Sequence, residues 1–134
     1  MLEIISRLIA LKNTLKLYHW NIKGQTFNAD HPYLDEIEEP IDNFIDELVE
    51  KYFMAVDRTN LPVLFDIFKT ESSKYYGEYS QDPEIIFKNI ENMMIDLQDL
   101  IEDFDTYRGV NAILDELSAH LLKYIGLIKS RISE

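Results

Sequence analysis

Apolar residues in this chain recur at intervals of three and four along almost its whole length, and no stretch alternates apolar with polar residues long enough to make a convincing strand. A 3.6-residue period puts those residues on one stripe of a helix, which must be buried against another helix. The fold class is therefore expected to be all-α. Leu2, Ile5, Leu8, Ile9, Leu15 and Tyr18 predict a first helix running to about Asn21 and stopping near Gly24. Asn28, Ala29 and Asp30 read as a cap before His31, with Pro32 at a tolerated first-turn position. Leu34, Ile37, Ile41, Phe44, Ile45, Leu48 and Phe53 then predict a second long helix to about Val56. A short helix is expected from Pro62 to about Lys69, followed by a loop over residues 71–82. Pro83 opens a third helix that buries Ile86, Ile90, Met93, Met94, Leu97 and Ile101 and ends near Phe104. Gly109 precedes a fourth, which carries Val110, Ile113, Leu114, Leu117, Leu121, Leu122, Ile125 and Ile128. Four helices of roughly 20 residues predict a single domain over residues 1–134, a four-helix bundle with a short extra helix between helices 2 and 3.

The chain contains no cysteine, which excludes disulfides, thiolate zinc sites and cysteine nucleophiles and leaves His, Asp and Glu as the strong metal ligands. Its net charge is −12, yet 46% of its residues are hydrophobic, too many for an acidic disordered tail. The apolar start carries Glu3 and Arg7 with no small-residue cleavage site after it, and so reads as a helix and not a signal peptide. No run of about 18 apolar residues lacks a charge, so no membrane-spanning helix is expected, and a cytoplasmic location is. The charge is unevenly placed. Residues 1–26 hold four bases and one acid, a balance of +3, whereas residues 27–57 hold ten acids against Lys51 alone, a balance of −9.

The usual metal site of helical bundles needs Glu-x-x-His on two helices, and no such motif is present. His120 lies four residues after Glu116 and five after Asp115, which fits nothing, and it is read as structural. A different set stands out: His19, His31, Asp35, Asp46 and Glu50. On one continuous helix His31, Asp35, Asp46 and Glu50 would fall at roughly 0°, 40°, 60° and 100°, a single face. Asp35 and Asp46 are about 16 Å apart along the axis, too far for one ion. Two copies packed antiparallel about a dyad beside Pro40 would instead set His31 and Asp35 of one chain against Asp46 and Glu50 of the other. That creates two equivalent His–carboxylate sites roughly 22 Å apart. His19 completes each site if the first helix lies alongside. Taken singly, the acids read as solvated surface and His19 as a satisfied core histidine; their joint spacing points to a metal.

Tyr18-His19-Trp20-Asn21 followed by Lys23-Gly24, then His31, Asp35, Asp46 and Glu50, resembles the Dps family, the DNA-binding proteins from starved cells, or mini-ferritins. The family's ligand intervals of twelve, four, eleven and four residues are all matched; outside residues 18–50 the resemblance is architectural. It implies a ferritin-like fold in which His19, His31 and Asp35 of one subunit and Asp46 and Glu50 of its mate form an intersubunit ferroxidase centre beside Trp20. It further implies a homo-oligomer, a hollow dodecamer, that oxidises Fe(II) with hydrogen peroxide or oxygen, stores ferric iron and protects against oxidative damage. Imidazole with carboxylates suits Fe(II) and Fe(III), with Zn(II) or Co(II) competing for the same donors. Asp99, Glu102, Asp103 and Asp105 are candidates for the lining of a cavity or pore. Two features depart from the family. There is no basic tail, only Lys129 and Arg131 before an acidic end, so DNA binding is not expected. Pro40 sits inside the second helix, where it costs about 3 kcal/mol and favours a kink. The alternatives to a ferroxidase are a structural or DNA-compacting assembly and a non-catalytic divalent-metal buffer.

Overall fold

The computed structural model describes residues 1–70 and 78–132, and every regular element among them is helical. The α-helices are α1 (Leu2–Asn21), α2 (Phe27–Glu38), α3 (Ile41–Leu48), α4 (Leu64–Thr70), α5 (Pro83–Glu102) and α6 (Arg108–Arg131). A π-helical segment, Val49–Met54, follows α3, and a 3-10 segment, Arg58–Val63, precedes α4. α1 packs on α2, α3, α4 and α5, while α6 closes the other side against α5 and α3. All the α-helices and the π segment feed one apolar cluster, with Leu8, Leu15, Leu34, Leu48, Phe53, Phe87, Leu97 and Leu121 completely buried. None of these helices is long and apolar enough to cross a membrane.

Local signals explain the sharpest boundaries. Asp82 caps α5 by accepting the Glu84 N–H at 3.1 Å, and Pro83 stands at the first position, where a missing N–H costs nothing. α1 ends at Asn21, and the chain reverses through Gly24, whose φ of +136° suits a residue without a Cβ. The expected loop after α4 is non-helical from residue 78 to 82; its part over 71–77 lies outside the described residues.

Two expectations about the second helix are corrected. It starts earlier, at Phe27, because the Thr26 carbonyl already accepts the Ala29 and Asp30 N–H groups at 3.0 and 2.9 Å. His31 and Pro32 therefore lie inside it, and Pro32 is tolerated because it is on the solvent side, as is Asn28, whose carbonyl loses the donor. Nor does one α-helix run on to Val56. α2 stops at Glu38 and α3 restarts at Ile41, since Pro40 has no N–H for the Glu36 carbonyl. Glu39 and Pro40 keep right-handed helical dihedrals, so the break is a kink and not a turn. From Val49 to Met54 the helix widens into π geometry.

Candidate metal centre

His19 lies in the last turn of α1 and His31 in the second turn of α2, and the tight reversal at Gly24 brings them together. Their rings stack with centroids 3.7 Å apart and planes 17° from parallel. Nδ1 of His19 donates to the His31 carbonyl at 2.6 Å, and Nδ1 of His31 donates to the His19 carbonyl at 2.6 Å. A carbonyl only accepts, so each Nδ1 carries its proton, and the lone pair of the Nδ1–H tautomer is the one at Nε2. That second hydrogen bond is what orients a metal-binding imidazole. Phe27 stacks on His31 at 4.9 Å, further fixing the ring.

Asp35 is one turn along α2 from His31, and Lys16 one turn back along α1 from His19. Once the histidines meet, these neighbours meet as well: Lys16 Nζ lies 2.9 Å from Asp35 Oδ1 and 3.7 Å from Glu38 Oε2. The ladder continues at Lys12 and Asp42, 2.6 Å apart. The hydrogen bond from the Lys16 ammonium, with its charge, holds the Asp35 carboxyl below the usual carboxylate range. The same hydrogen bond pushes Lys16 up from the ordinary lysine value. His19, His31 and Asp35 thus lie on the same α1–α2 face, the two rings in contact and the carboxylate held by Lys16.

Asp46 lies on α3 and Glu50 in the π segment; both are exposed, and neither is engaged by another side chain among the described residues. Glu50 occupies the widened turn, a geometry frequent at functional sites. Among the described residues of one chain, no three His, Asp or Glu side chains come together as a metal site. Trp20, next to His19, is 66% exposed.

His120 is not part of this face. Its Nε2 donates to the Ile37 carbonyl at 3.0 Å, and burial lowers its pKa from the ordinary histidine value. Asp99, Glu102, Asp103 and Asp105 are all exposed near the α5–α6 connection, with Glu102 accepting from Gln98 Nε2 at 2.7 Å. Two pairings were missed from the sequence. The Lys16–Asp35 pair was legible in principle, because Lys16 is i−3 from His19 and Asp35 i+4 from His31. The other joins Arg131, at the end of α6, to buried Asp30, 2.5 Å apart, and no local signal announces it. Comparison of the chain with family models, with curated proteins and with solved structures returned no match.

Proposed function

We propose that this chain is a ferritin-like mini-ferritin of the Dps type, a four-helix-bundle ferroxidase that oxidises Fe(II) and sequesters the ferric product inside a homo-oligomer, a dodecamer built from two-fold dimers. The observation that carries the reading is the reciprocal His19–His31 pair, in which both Nδ1 protons are used on backbone carbonyls, so that Nε2 of each ring remains for a ligand, with Asp35 one turn further along α2. The exposed Asp46 and Glu50, across the Pro40 break, supply the other half from a mate related by a dyad near that break.

In this centre Fe(II) is substrate. Two imidazole nitrogens hold Fe(II), and the carboxylates favour the harder Fe(III) that forms. The balance is simple: one peroxide takes one electron from each of two Fe(II) ions and, with two protons, leaves as two waters. A cation entering beside Asp35 displaces the Lys16 ammonium from it, which exchanges one positive partner for another and keeps the carboxylate ionised. The acid excess of residues 27–57 draws cations toward this face. Protection against peroxide-driven damage, in a cytoplasmic setting, follows from consuming iron and peroxide together. The test is stopped-flow oxidation of Fe(II) by peroxide and by oxygen, followed by electron microscopy of the loaded protein. Fast oxidation that His31→Ala abolishes, with an electron-dense core, is the expected result. Oxidation no faster than in buffer refutes the ferroxidase, and metal uptake without oxidation identifies a divalent-metal buffer.

A further inference from the structure

Pro40 deprives the Glu36 carbonyl of its helical donor. The backbone bonds flanking the break are Glu39 N–H to the Asp35 carbonyl, 2.9 Å, and Phe44 N–H to the Pro40 carbonyl, 3.2 Å. A missing rung makes the helix easier to bend there unless other contacts hold it. Two side chains one turn apart on α6 do. His120 Nε2–H donates to the Ile37 carbonyl at 3.0 Å, and the Tyr124 hydroxyl donates to Glu36 Oε1 at 2.9 Å. The His120 ring also lies 6.0 Å from that of Phe44 on α3 and 4.9 Å from that of Tyr124, while Tyr124 meets Tyr33 of α2 edge-on at 5.7 Å. α6 thus grips the chain on both sides of Pro40.

From this we infer that His120 and Tyr124 are positioning residues for the metal centre: they lock the angle between α2, which carries His31 and Asp35, and the α3–π segment, which carries Asp46 and Glu50. The inference rests on the shared centre proposed above. In an antiparallel dimer with its dyad at the break, a change in that angle moves both ligand pairs relative to those of the mate, so a donor to one backbone carbonyl sets the geometry of two sites. His120 serves the Ile37 carbonyl as a donor and meets Phe44 as a ring, so substitutions that keep one and lose the other separate positioning from packing.

Co(II), whose visible absorption reports coordination geometry, is the probe. The intact chain is titrated beside His31→Ala, His120→Leu, His120→Gln and Tyr124→Phe, with helix content and oligomer size recorded for each. His120→Leu keeps the apolar contacts and loses the donor; it is expected to weaken Co(II) binding about 10-fold and shift the spectrum. His120→Gln, whose amide N–H can serve the same carbonyl, is expected to restore most of the affinity. Tyr124→Phe loses only a hydroxyl, opens no cavity, and is expected to weaken binding several-fold; it decides the matter if His120→Leu does not fold. Co(II) binding that is unchanged in His120→Leu or, should that variant not fold, in Tyr124→Phe overturns this inference alone, as does a loss that glutamine fails to rescue. No Co(II) binding by the intact chain, or binding indifferent to His31→Ala, overturns the centre itself and this inference with it.

Discussion

Replacing Arg131 with Met keeps most of the aliphatic stem and removes the guanidinium that pairs with Asp30, the residue before His31. Arg131 Nη2 is 2.5 Å from Asp30 Oδ1 and donates to Thr26 Oγ1 at 3.3 Å, with the guanidinium carbon 4.5 Å from the Phe87 ring centroid. The Asp30 side chain is only 2% exposed, so its carboxylate depends on these partners. After the substitution it retains the Thr26 hydroxyl, which donates to Oδ2 at 2.6 Å. Stranding one member of a buried ion pair costs about 3–5 kcal/mol. Arg131 is itself 32% exposed, so water softens the loss, and about 2–3 kcal/mol is the better figure. Loss of the cation–π contact adds about 0.5–1 kcal/mol. The expected total is about 3 kcal/mol, a fall in Tm on the order of 10 °C for a domain of this size. Urea and thermal unfolding at one fixed chain concentration measure it, because oligomer stability depends on concentration. In a double-mutant cycle, Asp30→Asn with Arg131→Met should recover much of the loss, with a coupling of about 2 kcal/mol. A loss for Arg131→Met below about 0.5 kcal/mol, or strict additivity with Asp30→Asn, refutes the assignment of Asp30 and Arg131 as a mutually dependent pair.

If the centre is shared between chains, mixing an Asp46→Ala, Glu50→Ala chain with a His19→Ala, His31→Ala chain creates hybrid dimers with one intact and one empty site. Activity should reappear in the mixture, and its absence with hybrids demonstrated by native mass spectrometry rejects sharing. Tyr124 is pushed up to about 12 by burial and by its bond to Glu36. Its neutral form is thus favoured in the folded state, and that stabilisation, complete below the unfolded value of about 10, is lost as pH rises from about 10 to 12. Unfolding followed against pH should show this alkaline loss weakened in Tyr124→Phe; an identical loss in both proteins contradicts it. In a gel-shift series at about 50 mM salt, where phosphate contacts are least screened, no DNA should be retained at micromolar protein without divalent metal. The −12 charge opposes it, and Lys12, Lys16 and Arg131 are already engaged with acids. Tight, salt-sensitive retention promotes the DNA-compacting alternative.

The helix content was legible because its causes are local. Apolar stripes, the Asp82–Pro83 start and the Gly24 reversal each act within a few residues, and α1, α5 and α6 fall close to where those signals put them. Pro40 likewise announced a kink, since a missing N–H is a covalent fact. The widening over Val49–Met54 had no such signature. A 3.6-residue apolar period cannot register one extra residue per turn when Phe53 still reaches the core.

At the candidate centre the spacing of His19, His31, Asp35, Asp46 and Glu50 is a property of the sequence, and so is the conclusion that the two ligand pairs of the second helix lie too far apart for one ion. Only the tertiary structure decided that the two histidines exchange Nδ1–H bonds with each other's carbonyls, that Lys16 rests on Asp35, and that Arg131 closes on Asp30. These contacts join residues 12, 19 and 101 positions apart, across a turn or between α2 and the last turn of α6. Helical spacing sets which residues share a face; which faces meet depends on burying the apolar stripes of α1, α2, α5 and α6 together, a condition imposed by the whole chain at once.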